Sequence, residues 1–304
     1  MKLITNAEIG GNGRFGNQIF QYMFLSFHAA KYGLEFANPP WDGDAIFKIQ
    51  PGRNSLPEQD RKLVEDIKDP QHCPIRNATG PLDGVDVSGY FQYPTSFYSP
   101  QRDRLCGEFS FKPPYSDFVK RLQGWFSELP GTVVAVHMRR GDYGTGIFFR
   151  APSEWYTAWL ATLQKRVGEL TVYVASDELD EVLGGFDAFR TVSAKDAPHP
   201  LPSPEFVTDF MALCVAPHVA ISNSSMSFAA TMFNAVATSF YRPSLKERRL
   251  IEYDPWNAEV LLTDVIAEDA GEEFMSERAK SRSKYKIRKF FRRNAWQHQR
   301  TNRT

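Results

Sequence analysis

From Thr132 to Tyr143 the chain reads TVVAVHMRRGDY, a β-branched apolar run that ends in a histidine, two arginines, a glycine and an aspartate. Charged groups of this kind are costly to bury without partners. The VVAV run predicts a strand covered on both faces, as in a parallel sheet, and ligands bind such sheets just beyond the carboxyl ends of strands. Arg139 and Arg140 then stand where a phosphate would bind. A guanidinium offers a planar fork of donors that matches phosphate oxygens and stays charged at any working pH, so two of them can hold a diphosphate without a metal ion. The same residues also fit a structural ion pair with Asp142, and spacing alone weighs the two readings equally.

Two further strand ends carry polar residues. Ser176 and Asp177 follow TVYVA, where an aspartate can accept hydrogen bonds from a base or ribose, or can cap the helix that DELDEVL predicts. In HVAISNSSMSFAATMFNA a strand passes through Asn223, Ser224 and Ser225 into a helix rich in small residues. Helix starts bind phosphates, although capping by Ser224 or Ser225 is the more ordinary role. Near the amino end, Gly11, Gly13 and Gly16 form a literal G-x-G-x-x-G, with a helix after it and Glu35 about twenty residues on, as in a dinucleotide-binding unit. A nicotinamide or flavin enzyme is therefore a competitor. Against it, MKLITNAEI makes a poor strand, and Asn17-Gln18 places amides where close packing favours a small apolar residue. The glycines can instead bring backbone close to a sugar diphosphate, with Asn17 as a side-chain ligand. Asp42-Gly-Asp44 has a metal-binding spacing but sits among breakers and reads as a turn. His28, His199 and His218 show no ligand spacing.

The elements that must position these residues follow from the rest of the chain. Its 304 residues, 42% hydrophobic and 14% aromatic, suffice for two globular halves and exclude a disordered profile. Cys73, Cys106 and Cys214 are odd in number and widely spaced, which argues against a disulfide framework or zinc site and for a reducing compartment. No signal peptide is visible and no run approaches the ~20 apolar residues of a membrane span, so the catalytic body is expected to be soluble. Asn38 to Pro57, rich in breakers, predicts an irregular, mobile excursion. PEQDRKLVEDIKDP predicts a surface helix, GVDVSGYFQYPTSFYS a strand followed by an aromatic loop, and SDFVKRLQGWFSELPG a helix ending at Pro130-Gly131. A domain boundary falls there, giving 1–130 and 131–270. Beyond it, strands alternate with the helices PSEWYTAWLATLQKRV and FVTDFMALCVA, an α/β parallel arrangement. The aromatics of SEWYTAW read as helix packing.

A net charge of zero hides an asymmetry: residues 275–304 hold eleven Lys and Arg against one acid, which leaves 25 bases and 35 acids elsewhere. Within this tail, 271–304, SKYKIRKFFRRNAW sets Ile287, Phe290 and Phe291 on one helical face with basic residues around them. The pattern favours an anionic membrane surface over docking on the acidic body, and nucleic-acid binding would not need aligned apolar residues.

GRFGNQIFQY at 13–22, SGYFQ at 88–92, HMRRGDY at 137–143, YVASDE at 173–178 and AISNSSMSFAATMFN at 220–234 together resemble glycosyltransferase family 11, the family of α-1,2-fucosyltransferases. The similarity extends to protein O-fucosyltransferases and covers nearly all of residues 9–245. It implies a GT-B fold, two Rossmann-like domains facing a cleft, with the basic helical tail appended. It also implies inverting, metal-independent transfer of fucose from GDP-fucose to a glycan hydroxyl, with galactose O2 as the expected position. On the matching positions, Arg139 resembles the arginine that holds the β-phosphate, with His137, Arg140 and Asp142 shaping its loop. Asp177, beside Ser176, resembles a guanine or ribose contact. Ser224, Ser225 and Ser227, after Asn223, resemble the phosphate and fucose loop. Asn17, following Gly16, resembles a residue lining the reaction centre. Phe228-Ala229 replaces the two tryptophans of many members, and Arg14-Phe15 replaces a shorter aliphatic step. A cytoplasmic enzyme held at the inner face of the plasma membrane, acting on a glycan or lipid-linked oligosaccharide, is the expectation. A non-catalytic nucleotide-sugar binder is the alternative.

Overall fold

The computed structural model describes residues 2–66, 69, 72–144, 148–200, 202–204 and 206–262. The basic tail lies outside the described residues. The first half comprises β1 (Leu3–Thr5), α1 (Phe15–Tyr32), β2 (Glu35–Ala37), α2 (Gly43–Ile46), β3 (Arg61–Val64), β4 (Val85–Ser88), α3 (Arg102–Glu108) and α4 (Tyr115–Glu128). The second comprises β5 (Thr132–Met138), α5 (Ser153–Val167), β6 (Leu170–Ser176), α6 (Leu179–Val182), β7 (Arg190–Val192), α7 (Phe206–Val215), β8 (His218–Ala220), α8 (Ser225–Met232), β9 (Ser239–Ser244) and β10 (Arg249–Glu252).

Each half is built on its own sheet. The first is parallel throughout, ordered β2-β1-β4-β3. The second is ordered β10-β9-β8-β5-β6-β7 and is parallel except for the β9–β10 pair. After β5 the chain moves outward through β6 and β7, then returns to lay β8 on the other side of β5. The carboxyl ends of β5 and β8 therefore flank the crevice where a doubly wound sheet binds its ligand.

β5 is buried from Val133 to Met138 because helices cover both faces. Its alternation sends Val133 and Ala135 to one core and Val134 and Val136 to another, the second packed under Tyr156 and Leu160 of α5. The first core runs from one half into the other. Phe15, in the first turn of α1, lies 5.0 Å from Phe206 and 5.3 Å from Phe210 of α7, and Phe109 stacks 4.7 Å from Phe233. α4, just before the expected boundary, packs Trp125 and Phe126 against Tyr173 of β6. α1 is buried nearly all round from Phe15 to Ala29, as a central helix must be. It stops at Gly33, whose φ of +64° is left-handed.

Three expectations are corrected. MKLITNAEI does form a strand, β1, which is central and bonded on both sides, so its three residues need no long apolar run. The predicted helix after Pro57 is instead the edge strand β3, where Lys62 and Val64 are exposed and helix-like charge spacing misleads. Residues 38–57 are not a loose excursion: Trp41, Ile46 and Phe47 are buried, and Asp44 Oδ2 accepts the Trp41 and Gly52 amides. Asp44 thereby staples a turn. All three cysteines are free, and no described helix is long and apolar enough to cross a membrane.

One carboxyl in this core makes stability depend on pH. Asp209 of α7 accepts the Tyr173 hydroxyl at 2.8 Å, and burial pushes its pKa up to about 7. In the unfolded chain it titrates near 4. Between these values the unfolded chain releases a proton that the folded one keeps, so stability falls as pH rises through this window and stays lower above it. Asp209→Asn retains an acceptor for Tyr173 without the charge. Its melting temperature is expected to exceed wild type by about 3 °C or more at pH 8 and to converge on it near pH 4. A pH-independent difference in thermal scans would contradict the assignment.

Candidate active site in the cleft

The site begins where β5 ends. His137 is buried and its Nδ1 pairs at 2.9 Å with the Ser222 hydroxyl, bridging the ends of β5 and β8. Burial lowers its pKa to about 4, so the imidazole is neutral and serves the crevice as a fixed spacer. Ser176 donates to the Met138 carbonyl at 2.7 Å and accepts the Glu178 amide, which ties β6 to β5. Asp177 is turned back over the β5 loop: its Oδ1 accepts the Arg140 amide at 2.8 Å and its Oδ2 pairs with Arg139 at 3.0 Å. The capping role weighed for Asp177 is absent, since the residue before α6 is Glu178 and makes no side-chain cap.

The two arginines part company. Arg140 is 8% exposed and its guanidinium donates to the Ala151 and Arg139 carbonyls, with burial lowering its pKa. Its guanidinium is thus engaged with the loop that carries Arg139. Arg139 extends between Asp142 (2.8 Å) and Asp177 (3.0 Å) and lies 5.7 Å from the ring centre of Tyr143. The ion pair with Asp142 and the ligand-binding role are thus compatible, because the carboxylates fix a guanidinium that keeps further donors.

From the opposite half, Arg14 reaches the same carboxylate: Nη1 and Nη2 donate to the Asp142 oxygens at 3.3 and 3.0 Å. Directly behind it, α1 and α8 meet start to start. Asn17 Oδ1 accepts the Ser225 hydroxyl at 2.9 Å and Gln92 Nε2 at 2.8 Å. Gln21 bonds the carbonyls of Asn12 and Gly89, tying the glycine loop to the SGYFQ loop, while Glu65 accepts the Tyr90 and Phe91 amides. Two helix amino ends with their partial positive charge therefore converge beside Arg139 and Arg14.

Of the serine loop, Ser225 bonds Asn17, whereas Ser227 is fully buried in the first turn of α8 and donates to the Ser224 carbonyl. Ser224 precedes α8 without a side-chain cap, so the capping reading is not what the loop uses. Asn223 accepts the Leu262 amide at 2.9 Å through Oδ1, and its carbonyl accepts the Tyr143 hydroxyl at 2.8 Å. The cleft thus gathers Asn17, Gly16, Arg139, Asp142, Ser224 and Ser225, while His137, Arg140, Ser176, Asn223 and Ser227 are committed to support.

Arg14, Gln92, Ser222 and Glu65 were not singled out as site residues from the sequence. Arg14, Gln92 and Ser222 lie inside the motif segments 13–22, 88–92 and 220–234, whereas Glu65 lies outside all of them. The dinucleotide alternative loses its second anchor: Glu35 pairs with Leu3 at the amino ends of the strands and with Arg53 at 3.8 Å, away from the glycine loop.

No protein-family model matches this sequence, and no curated protein matches it. Similarity appears at the level of structure. A mutant of Arabidopsis thaliana FUT1 in complex with GDP aligns with a TM-score of 0.52 at 11% identity, over 84% of this chain and 75% of that one. NodZ alpha-1,6-fucosyltransferase soaked with GDP-fucose aligns at 0.48 and 13% identity, over 83% of this chain and 99% of that one, and NodZ from Bradyrhizobium at 0.46. The fold is α/β of GT-B type, two Rossmann-like domains facing a cleft.

Proposed function

We propose that the protein transfers fucose, with inversion and without a metal ion, from GDP-fucose to a hydroxyl of a glycan acceptor, galactose O2 being the position its motifs favour. The observation that carries this reading is Arg139, fixed between Asp142 and Asp177 at the switch point of the second sheet, with Asp142 bonded in turn to Arg14 of the first half. FUT1, which shares the fold, holds GDP.

In the reaction the acceptor oxygen bonds to C1 of the sugar and releases its proton to solvent as the bond from C1 to the β-phosphate oxygen breaks on the other face, so the products are the fucoside, GDP and a proton. Negative charge grows on the departing diphosphate while the sugar becomes oxocarbenium-like. A guanidinium already held in place stabilises that charge without reorganising, and the α1 and α8 amino ends add to the field. The Asn17 carbonyl is taken by Ser225 and Gln92, so its Nδ2 is the end that can donate to sugar or phosphate. An asparagine has no basicity to take the acceptor proton, so Asn17 positions.

Calorimetric titration with GDP-fucose, GDP-mannose, UDP-glucose and NAD in EDTA buffer tests the reading. Preferred binding of GDP-fucose is expected. A different GDP-sugar would change the donor and keep the site, and binding of NAD alone would return the glycine loop to a dinucleotide and overturn the proposal.

A further inference from the structure

Arg14 and Arg139 come from opposite domains, yet both end on one carboxylate. Arg139 Nη2 lies 2.8 Å from Asp142 Oδ1, and Arg14 Nη2 lies 3.0 Å from Oδ2 of the same group. Asp142 is thus an anion gripped from two sides across the cleft. Its side chain is 36% exposed and that of Arg14 53% exposed, so neither is locked by packing.

We propose that Asp142 is an internal stand-in for the donor's diphosphate, and that Arg14 is a second donor-binding arginine which passes from Asp142 to the diphosphate when the nucleotide sugar arrives. This rests on the donor-site reading above and adds to it a residue, a competitor and a reason for the domains to meet. Two guanidiniums spaced to clasp one carboxylate are also spaced to share the non-bridging oxygens of a diphosphate, whose greater charge and larger number of acceptors favour the exchange. An exposed ion pair contributes little on its own, so releasing it is cheap. The side-chain charges agree: Arg14 and Arg139 are balanced by Asp142 and Asp177, so an arginine becomes available to an incoming anion only as a carboxylate yields it. Because Arg14 directly precedes α1 and Asn17 lies in its first turn, the same segment that grips the phosphate carries the amide facing Ser225.

Competition sets the sign of one variant, and this separates the proposal from a merely structural bridge. Asp142→Asn cannot form the ion pairs and is expected to bind GDP more tightly than wild type. Arg14→Ala is expected to weaken GDP by roughly tenfold or more while leaving GMP, which lacks the β-phosphate, within about twofold. Arg14→Lys, a charge without the fork, should fall between. The measurements are calorimetric titrations of the full chain with GDP, GMP and inorganic pyrophosphate, each variant first matched to wild type in its thermal melt. Unchanged GDP affinity in Arg14→Ala would overturn the inference, as would Asp142→Asn weakening GDP as Arg14→Ala does. Binding of pyrophosphate in an Arg14-dependent manner with no affinity for guanosine nucleotides would keep the clamp and refute the donor assignment. Failure to bind either pyrophosphate or GDP would refute both.

Discussion

Arg139→Ala is expected to lower the turnover of GDP-fucose by about two to three orders of magnitude, the range seen when one preorganised donor to a developing anion is removed. Its effect on affinity for GDP should be smaller, because the nucleoside and the remaining loop contacts persist. The split follows from timing: charge on the β-phosphate increases as the glycosidic bond breaks, so an interaction aimed there strengthens most in the transition state. Asp142 and Asp177 matter to this effect because they hold Arg139 at 18% side-chain exposure in one orientation. Arg139→Lys should recover only part of the loss, since a single ammonium cannot bond both carboxylates and a phosphate in the same geometry. Hydrolysis of GDP-fucose, followed by release of GDP, provides the readout with water in place of the acceptor. Equal losses in affinity and turnover would mean that Arg139 serves ground-state binding alone. No turnover in the wild type, with GDP-fucose bound, would favour the non-catalytic binder.

The second half was legible because its strands announce themselves. TVVAVHM and LTVYVAS run for seven residues each around the apolar cores VVAV and VYVA, long enough to predict a covered parallel pair, and their polar endings mark the carboxyl edge of the sheet. The first half spells its strands in three or four residues, and LIT or RKLV has no period to read. Their pairing is set by neighbours eighty residues away, as when Thr5 and the Ala7 amide both bond Asp86. The site divides in the same way. Arg139 is readable from its own segment. Arg14 meets Asp142 across 128 residues and Asn17 meets Ser225 across 208, and such contacts exist only once both sheets have folded and their aromatic core has joined them. The fate of Arg140 was also hidden, because whether an arginine faces the cleft or the Ala151 carbonyl depends on the turn that Asp177 imposes on the β5 loop.

Gly16 is where fold and site depend on one another most directly. A Cβ at this position would lie 2.3 Å from the Met226 amide nitrogen and 2.7 Å from the Ser225 carbonyl carbon, both backbone atoms at the start of α8. Neither can rotate away, so α1 and α8 must separate. Gly16→Ala is expected to destabilise the protein by about 3 kcal/mol, the upper range for overpacking a core, and Gly16→Val by more. Gly124→Ala is the control: it lies within α4 with nothing within 4 Å of the added Cβ, and should stabilise by about 0.5–1 kcal/mol because alanine costs a helix less than glycine. The same chemical change thus has opposite signs at two positions, readable in denaturant melts. Function should follow the first of them. Separating the helices removes the 2.9 Å bond between Ser225 and Asn17 and retracts the amino end of α8 from Arg139, so any Gly16→Ala protein that still folds should bind GDP more weakly than wild type. Unchanged GDP binding in a folded Gly16→Ala protein would show that the donor does not use the junction of α1 and α8. The third glycine of the G-x-G-x-x-G is the gap through which one half brings its helix against the start of the other's.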